Sequence, residues 1–167
     1  MDGGAAYVDQ LLNWANASGI EVLIDIHCHI GSQNGFDNSG RSMLVEWTSN
    51  LTMYPAGLVT FEHWPVRTAH WLGPYDVYSN TYPSINWAHI MHSLDTIRII
   101  TERYKNHPAV MGLEPVNEPW EMSPIPVLKK YYWEGYLIVK SIAPTWKYVI
   151  HDSFRFFTNI WGGFMAG

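Results

Sequence analysis

A single cysteine, Cys28, stands in a chain of 167 residues, so an intrachain disulfide is excluded. That count neither requires nor rules out secretion. Ten Lys and Arg against fifteen Asp and Glu leave a formal net charge of −5, and the basic residues form no block. Nucleic acid and anionic membranes are therefore poor partners. No run of about 18 apolar residues occurs, so no transmembrane helix is expected. The opening MDGGAAYVDQLLNWA has neither a basic n-region nor an apolar h-region, and it does not read as a signal peptide. No internal repeat, low-complexity tract or linker divides the chain.

Hydrophobic residues make up 47% and charged residues 15%, the balance of a globular chain with one sizeable core. Aromatics are dense, with 9 Trp, 10 Tyr and 6 Phe. They suit a core, and they also suit a surface that stacks flat ligands or sugar rings. Tyr7 to Ala17 has helical spacing through Val8, Leu11, Leu12 and Ala15, and Gly19 stops it. EVLIDIH, residues 21 to 27, reads as a buried strand ending at His27. GSQNGFDNSG, residues 31 to 40, is a loop by its turn chemistry. Residues 41 to 83 have no clean period; their aromatic content predicts an ordered excursion over one end of the fold. Asn86 to Tyr104 is a second helix, capped by Ser84 or Asn86, with Ile90, Leu94, Ile97, Thr101 and Tyr104 on one face. A third helix spans about residues 127 to 142. WKYVIH, residues 146 to 151, closes the series as a strand.

Between the second and third helices lies VMGLEPVNEP, residues 110 to 119. An apolar run after a long helix reads as a buried parallel strand, here 110 to 117. Pro115 cannot donate to a ladder, which predicts a bulge or an open edge there. The alternation of helix and strand implies a parallel sheet with helical crossovers. All three strands end in polar residues: His27, Asn117-Glu118 and His151-Asp152. In a barrel these ends converge on one face, where α/β barrels keep their chemistry. Glu118 is the candidate working carboxyl and Asn117 its neighbouring amide. The plainer reading is a strand that simply stops in an Asn-Glu-Pro turn.

IDIH, then GSQNGFDNSG, then GLEPVNEP, then VIHDSF, in that order, resemble the exo-β-1,3-glucanase branch of the family 5 glycoside hydrolases. The insert FEHWPVRTAHW…NTYPSINW resembles oomycete-type members. The resemblance covers roughly residues 5 to 160. It implies an α/β fold, a (β/α)8 barrel of which this chain carries about the third, fourth and fifth strands, within a single incomplete catalytic domain, residues 1 to 167. It implies retaining hydrolysis of β-glucosidic bonds, with the acid/base at Glu118, the supporting amide at Asn117 and a sugar-binding imidazole at His27. It further implies a sugar-contacting amide at Asn38, an aromatic wall at Phe36 and a second aromatic surface at Phe154. The partner is a β-glucan oligosaccharide or polysaccharide, the location extracellular or cell-surface, and no metal or organic cofactor is needed.

The chain departs from that pattern in three places. The nucleophilic glutamate of the seventh strand has no counterpart, because only three strands are present. Glu114 lies too far along the same strand, about 13 Å in extended chain. The chain therefore reads as an internal fragment of a larger enzyme, inactive on its own. Cys28-His29-Ile30 stand where the family usually has small residues and a proline. Pro115 stands where it usually has an aliphatic residue. Two other readings compete. Asp25, His27 and His29 form an Asp-x-His-x-His at a strand end, by which some barrel hydrolases hold a divalent metal, with His151 and Asp152 as further ligands. The other reading is a glucan-binding protein or inactive fragment that uses the aromatic loop without cleaving. His151, Asp152 and Ser153 are consecutive and point in different directions, so they form no triad.

Overall fold

The computed structural model describes residues 3–35, 39, 69–76, 78–79, 81–156 and 158–165. The elements run α1 (Ala5–Ala17), β1 (Val22–Asp25), α2 (Trp87–Tyr104), β2 (Val110–Glu114), α3 (Ile125–Ile142) and β3 (Lys147–Tyr148), with a short 3-10 turn at Asn159–Trp161. The three strands form one parallel sheet in the order β1-β2-β3, so each neighbouring pair is joined by a helical crossover. Among the described residues the sheet is unclosed, flanked by helices, and consistent with part of a (β/α) barrel.

Each element follows from its residues. β2 is buried almost throughout, as a central parallel strand should be, while β1 is half-exposed at the edge. Asn86 caps α2: its side-chain oxygen accepts from the His89 N–H at 3.3 Å. Pro126 sits in the first turn of α3, where a missing N–H costs nothing. Ile90, Ile97, Ile100 and Tyr104 of α2 meet Leu128, Tyr131, Tyr132 and Val139 of α3 over Val110 and Leu113 of β2. Gly135 of α3 lies under Tyr148 and Ile97, whose side-chain ends lie within 2.9 Å of where a Cβ would stand.

Two expectations change. All three strands are shorter than read, β1 and β3 at both ends and β2 at its carboxyl end, where regular pairing stops before the polar residues. On α1 only Leu12 and Ala15 are buried, whereas Val8 and Leu11 are exposed. Of that helix, only Leu12 joins the core cluster among the described residues. An ion pair of Asp9 with Arg103 ties it to α2 at 2.5 Å.

The register of β1 on β2 shifts between Val22 and Leu23, opposite Met111, and a second irregularity follows at Pro115, just past the end of β2. Ile26 N–H donates to the Glu114 carbonyl at 3.1 Å, and Asn117 N–H donates to the Ile26 carbonyl at 3.2 Å. A regular parallel ladder would use residue 116 for the second bond. One extra residue is therefore accommodated between them. Of the expected excursion, the part at residues 69–72 packs home: Trp71 is fully buried, and its N–H donates to the Ser32 carbonyl at 3.0 Å. The rest of residues 41 to 68 lies outside the described residues.

Candidate active site

The polar ends of β1 and β2 meet. His27 Nδ1 lies 2.7 Å from Asp25 Oδ2, and His27 Nε2 lies 3.5 Å from Asn117 Nδ2. A carboxylate only accepts, so Nδ1 carries the hydrogen and Nε2 is left to accept from the Asn117 amide. One tautomer thus satisfies both contacts, and a chain Asn117–His27–Asp25 crosses the strand ends. The imidazole itself is exposed, so its ring face and edge are open to a ligand.

Glu118 follows at once, half-buried, with φ of 45°. A left-handed backbone is uncommon for a residue with a Cβ and costs on the order of 1–3 kcal/mol. It persists only where the surroundings fix it, and here both flanking carbonyls are held. Gln33 Nε2 donates to the Asn117 carbonyl at 2.9 Å, and Ser153 Oγ donates to the Pro119 carbonyl at 3.1 Å and the Trp120 carbonyl at 2.8 Å. Ser32, Ser153 and Phe154 also have positive φ. Among the described residues, four of the five such non-glycine residues therefore follow the carboxyl ends of the strands.

Gln33 is the residue that composition and spacing did not single out. It is buried, and its amide also donates to the His27 carbonyl at 2.9 Å and accepts from the His29 N–H at 3.2 Å. One side chain thus clamps the end of β1 to the end of β2. Its only signal in the sequence was a Gln within a loop of Gly, Asn, Ser and Asp. We expect Gln33→Leu to destabilise the protein by about 3 kcal/mol, since it strands buried polar groups. A shift in the urea midpoint reads this. An unmoved midpoint would mean that water replaces the amide.

Electrostatically the site is acidic. Burial pushes the Glu114 carboxyl above the usual carboxylate range, and the charges of Asp25 and Glu118 add to the rise. Such a site favours developing positive charge on a bound molecule.

At the end of β3, His151 Nδ1 accepts from the Ser153 N–H at 3.0 Å. That bond requires a bare Nδ1, so the 3.7 Å approach of Asp152 is no ion pair in this state. Phe154 is 39% exposed and rests edge-on against His151, with ring centroids 4.8 Å apart. Phe36 and Asn38 lie outside the described residues.

The metal reading of Asp25, His27 and His29 does not hold. His29 is buried, and both its ring nitrogens are engaged, Nδ1 by Ser93 Oγ at 2.8 Å and Nε2 by the Pro115 carbonyl at 3.0 Å. Its ring turns into the core, away from His27. Among the described residues no group of three or more His, Cys, Asp or Glu could hold an ion. No helix among them is long and apolar enough to cross a membrane.

Residues 2–162 match the family described as Cellulase (glycosyl hydrolase family 5). A protein of Aspergillus terreus named "Probable glucan 1,3-beta-glucosidase A" is 30% identical over 99% of this chain and 32% of its own length. The "Glucan 1,3-beta-glucosidase" of Blumeria graminis is 29% identical over 99% of this chain and 30% of its own length. The chain therefore spans about a third of these relatives, which are fungal where the insert had resembled oomycete-type members. The catalytic domain of the major endoglucanase from Xanthomonas campestris pv. campestris aligns with 86% of this chain and 30% of its own, at 20% identity and a TM-score of 0.46.

Proposed function

The chain belongs to the cellulase family, glycosyl hydrolase family 5, and from that premise we propose that it carries the acid/base half of a retaining β-1,3-glucan hydrolase. Glu118 protonates the departing glycosidic oxygen and later activates water. Asn117 and His27 hold sugar hydroxyls beside it. Phe154, with Phe36 and Asn38 from the loop, forms the sugar-binding surface. The observation that carries this reading is Glu118 held in a left-handed turn beside the fixed Asn117–His27–Asp25 chain. The relatives' printed names supply the 1,3 linkage.

The residue types suit the chemistry. A retaining glycosidase needs a second carboxyl about 5–5.5 Å from the first as nucleophile. We place that nucleophile outside these 167 residues. The acidic field of Asp25 and Glu114 stabilises an oxocarbenium-like transition state. No step calls for a metal. The same reading puts the working protein outside the cell or at its surface, where β-glucans are found.

The test is product stereochemistry in the full-length protein that carries this sequence. Proton NMR of laminarin digestion should show the β-anomer of the new reducing end first, with an unchanged rate in chelator. An α-anomer appearing first, or loss of activity in chelator, would sink the proposal.

A further inference from the structure

Two departures from the family pattern, His29 and Pro115, lie far apart in sequence and touch in space. We infer that His29 is a positioning residue that holds the Pro115 bulge, and through it the turn that presents Glu118. The inference rests on the assignment of Glu118 as acid/base.

The hydrogen-bond geometry leaves little freedom. The Pro115 carbonyl can only accept, so His29 Nε2 must carry the hydrogen in that 3.0 Å bond. A neutral ring then has a bare Nδ1, which accepts from Ser93 Oγ at 2.8 Å, a hydroxyl whose single hydrogen is shared with the His89 carbonyl at 3.0 Å. Burial favours that neutral ring by lowering the His29 pKa to about 4. The Trp71 indole can only donate, and it donates to Ser93 Oγ at 2.9 Å. The relay therefore runs one way: Trp71 to Ser93 to His29 to the Pro115 carbonyl. The Trp71 ring also packs on the imidazole, with centroids 4.8 Å apart. Tyr131 Oη donates to the same carbonyl from α3 at 2.8 Å.

This arrangement answers a specific need. The extra residue of the bulge takes the Pro115 carbonyl out of the ladder, and a buried carbonyl without a donor is costly. Two side-chain donors pin it, from the end of β1 and from α3. Two residues later, Asn117 re-enters the ladder on Ile26, and Glu118 follows. If the carbonyl were released, the bulge could relax and the carboxyl would swing with it. Misplacement of a catalytic group by about 1 Å can cost on the order of 10²-fold in rate.

The experiment uses His29→Ala and His29→Gln in the full-length protein. Glutamine keeps an N–H that can reach the carbonyl; alanine does not. Hydrogen exchange of the Asn117 amide reads the bulge directly. We expect it to accelerate about tenfold in His29→Ala and to stay within about threefold of wild type in His29→Gln. On laminarin, kcat should fall about tenfold in the alanine variant with KM within about twofold, and glutamine should restore it. Unchanged exchange in His29→Ala, or equal damage in both variants, overturns the inference. Should His29→Ala fail to fold, Ser93→Ala takes its place; it removes the hydroxyl that holds the ring at Nδ1, and unchanged Asn117 exchange there would be equally fatal. Exchange does not depend on the chemistry of Glu118. Failure of the acid/base assignment would appear instead as turnover retained in Glu118→Gln.

Discussion

In the full-length protein, Glu118→Gln should lower kcat on laminarin by about 10²–10⁴-fold, the range that a lost general acid/base accounts for. The substitution preserves shape and removes only the ionisable group. Its amide cannot protonate a poor leaving group such as a sugar alkoxide. Binding of a laminari-oligosaccharide should stay within about threefold, because Asn117, His27 and the aromatic surface are untouched. A glucoside with an acidic phenol as leaving group departs without protonation. Its bond-breaking step should suffer much less than that of laminarin. This split separates a lost proton donor from a disturbed site, which would slow both substrates alike. Wild-type turnover of laminarin by Glu118→Gln would remove Glu118 from the mechanism.

Much of the frame was legible because it rests on local rules. The helix, strand order follows from hydrophobic period, the Asn86 cap from side-chain chemistry, and the bulge from the missing N–H of Pro115. The meeting of His27 with Asn117 was also legible, since both end parallel neighbours. The supports of Glu118 were not. Gln33 and Ser153 act through long-range bonds to backbone carbonyls, and no periodicity records which carbonyl a loop side chain will find. His29 misled for a related reason. Alternation along an ideal strand puts it on the same face as His27. The chain has already left β1 at Asp25, so alternation no longer governs its direction.

The other large effect concerns stability and comes from Gly112. In the middle of β2 it pairs with Leu23 on one side and Lys147 on the other. A Cβ at Gly112 would stand 2.3 Å from the Lys147 carbonyl oxygen and 2.9 Å from its carbon. Those are backbone atoms, and they cannot swing aside. Only two residue pairs join β2 to β3, so the strand gives way as a unit. Gly112→Ala should therefore destabilise the protein by about 3 kcal/mol, the upper end for overpacking. Displacing β3 also moves Ser153, which holds the Pro119 and Trp120 carbonyls beside Glu118, so kcat should fall with stability. Gly135→Ala is the internal comparison. Its Cβ would meet the ends of Tyr148 and Ile97, which are side chains and can shift. Alanine also favours the helix by about 1 kcal/mol over glycine. Urea denaturation should therefore rank Gly112→Ala well below Gly135→Ala. Were the two equal, the close approach of β3 would not be what requires glycine at 112, and the link from β3 to the Glu118 turn would lose its mechanical basis.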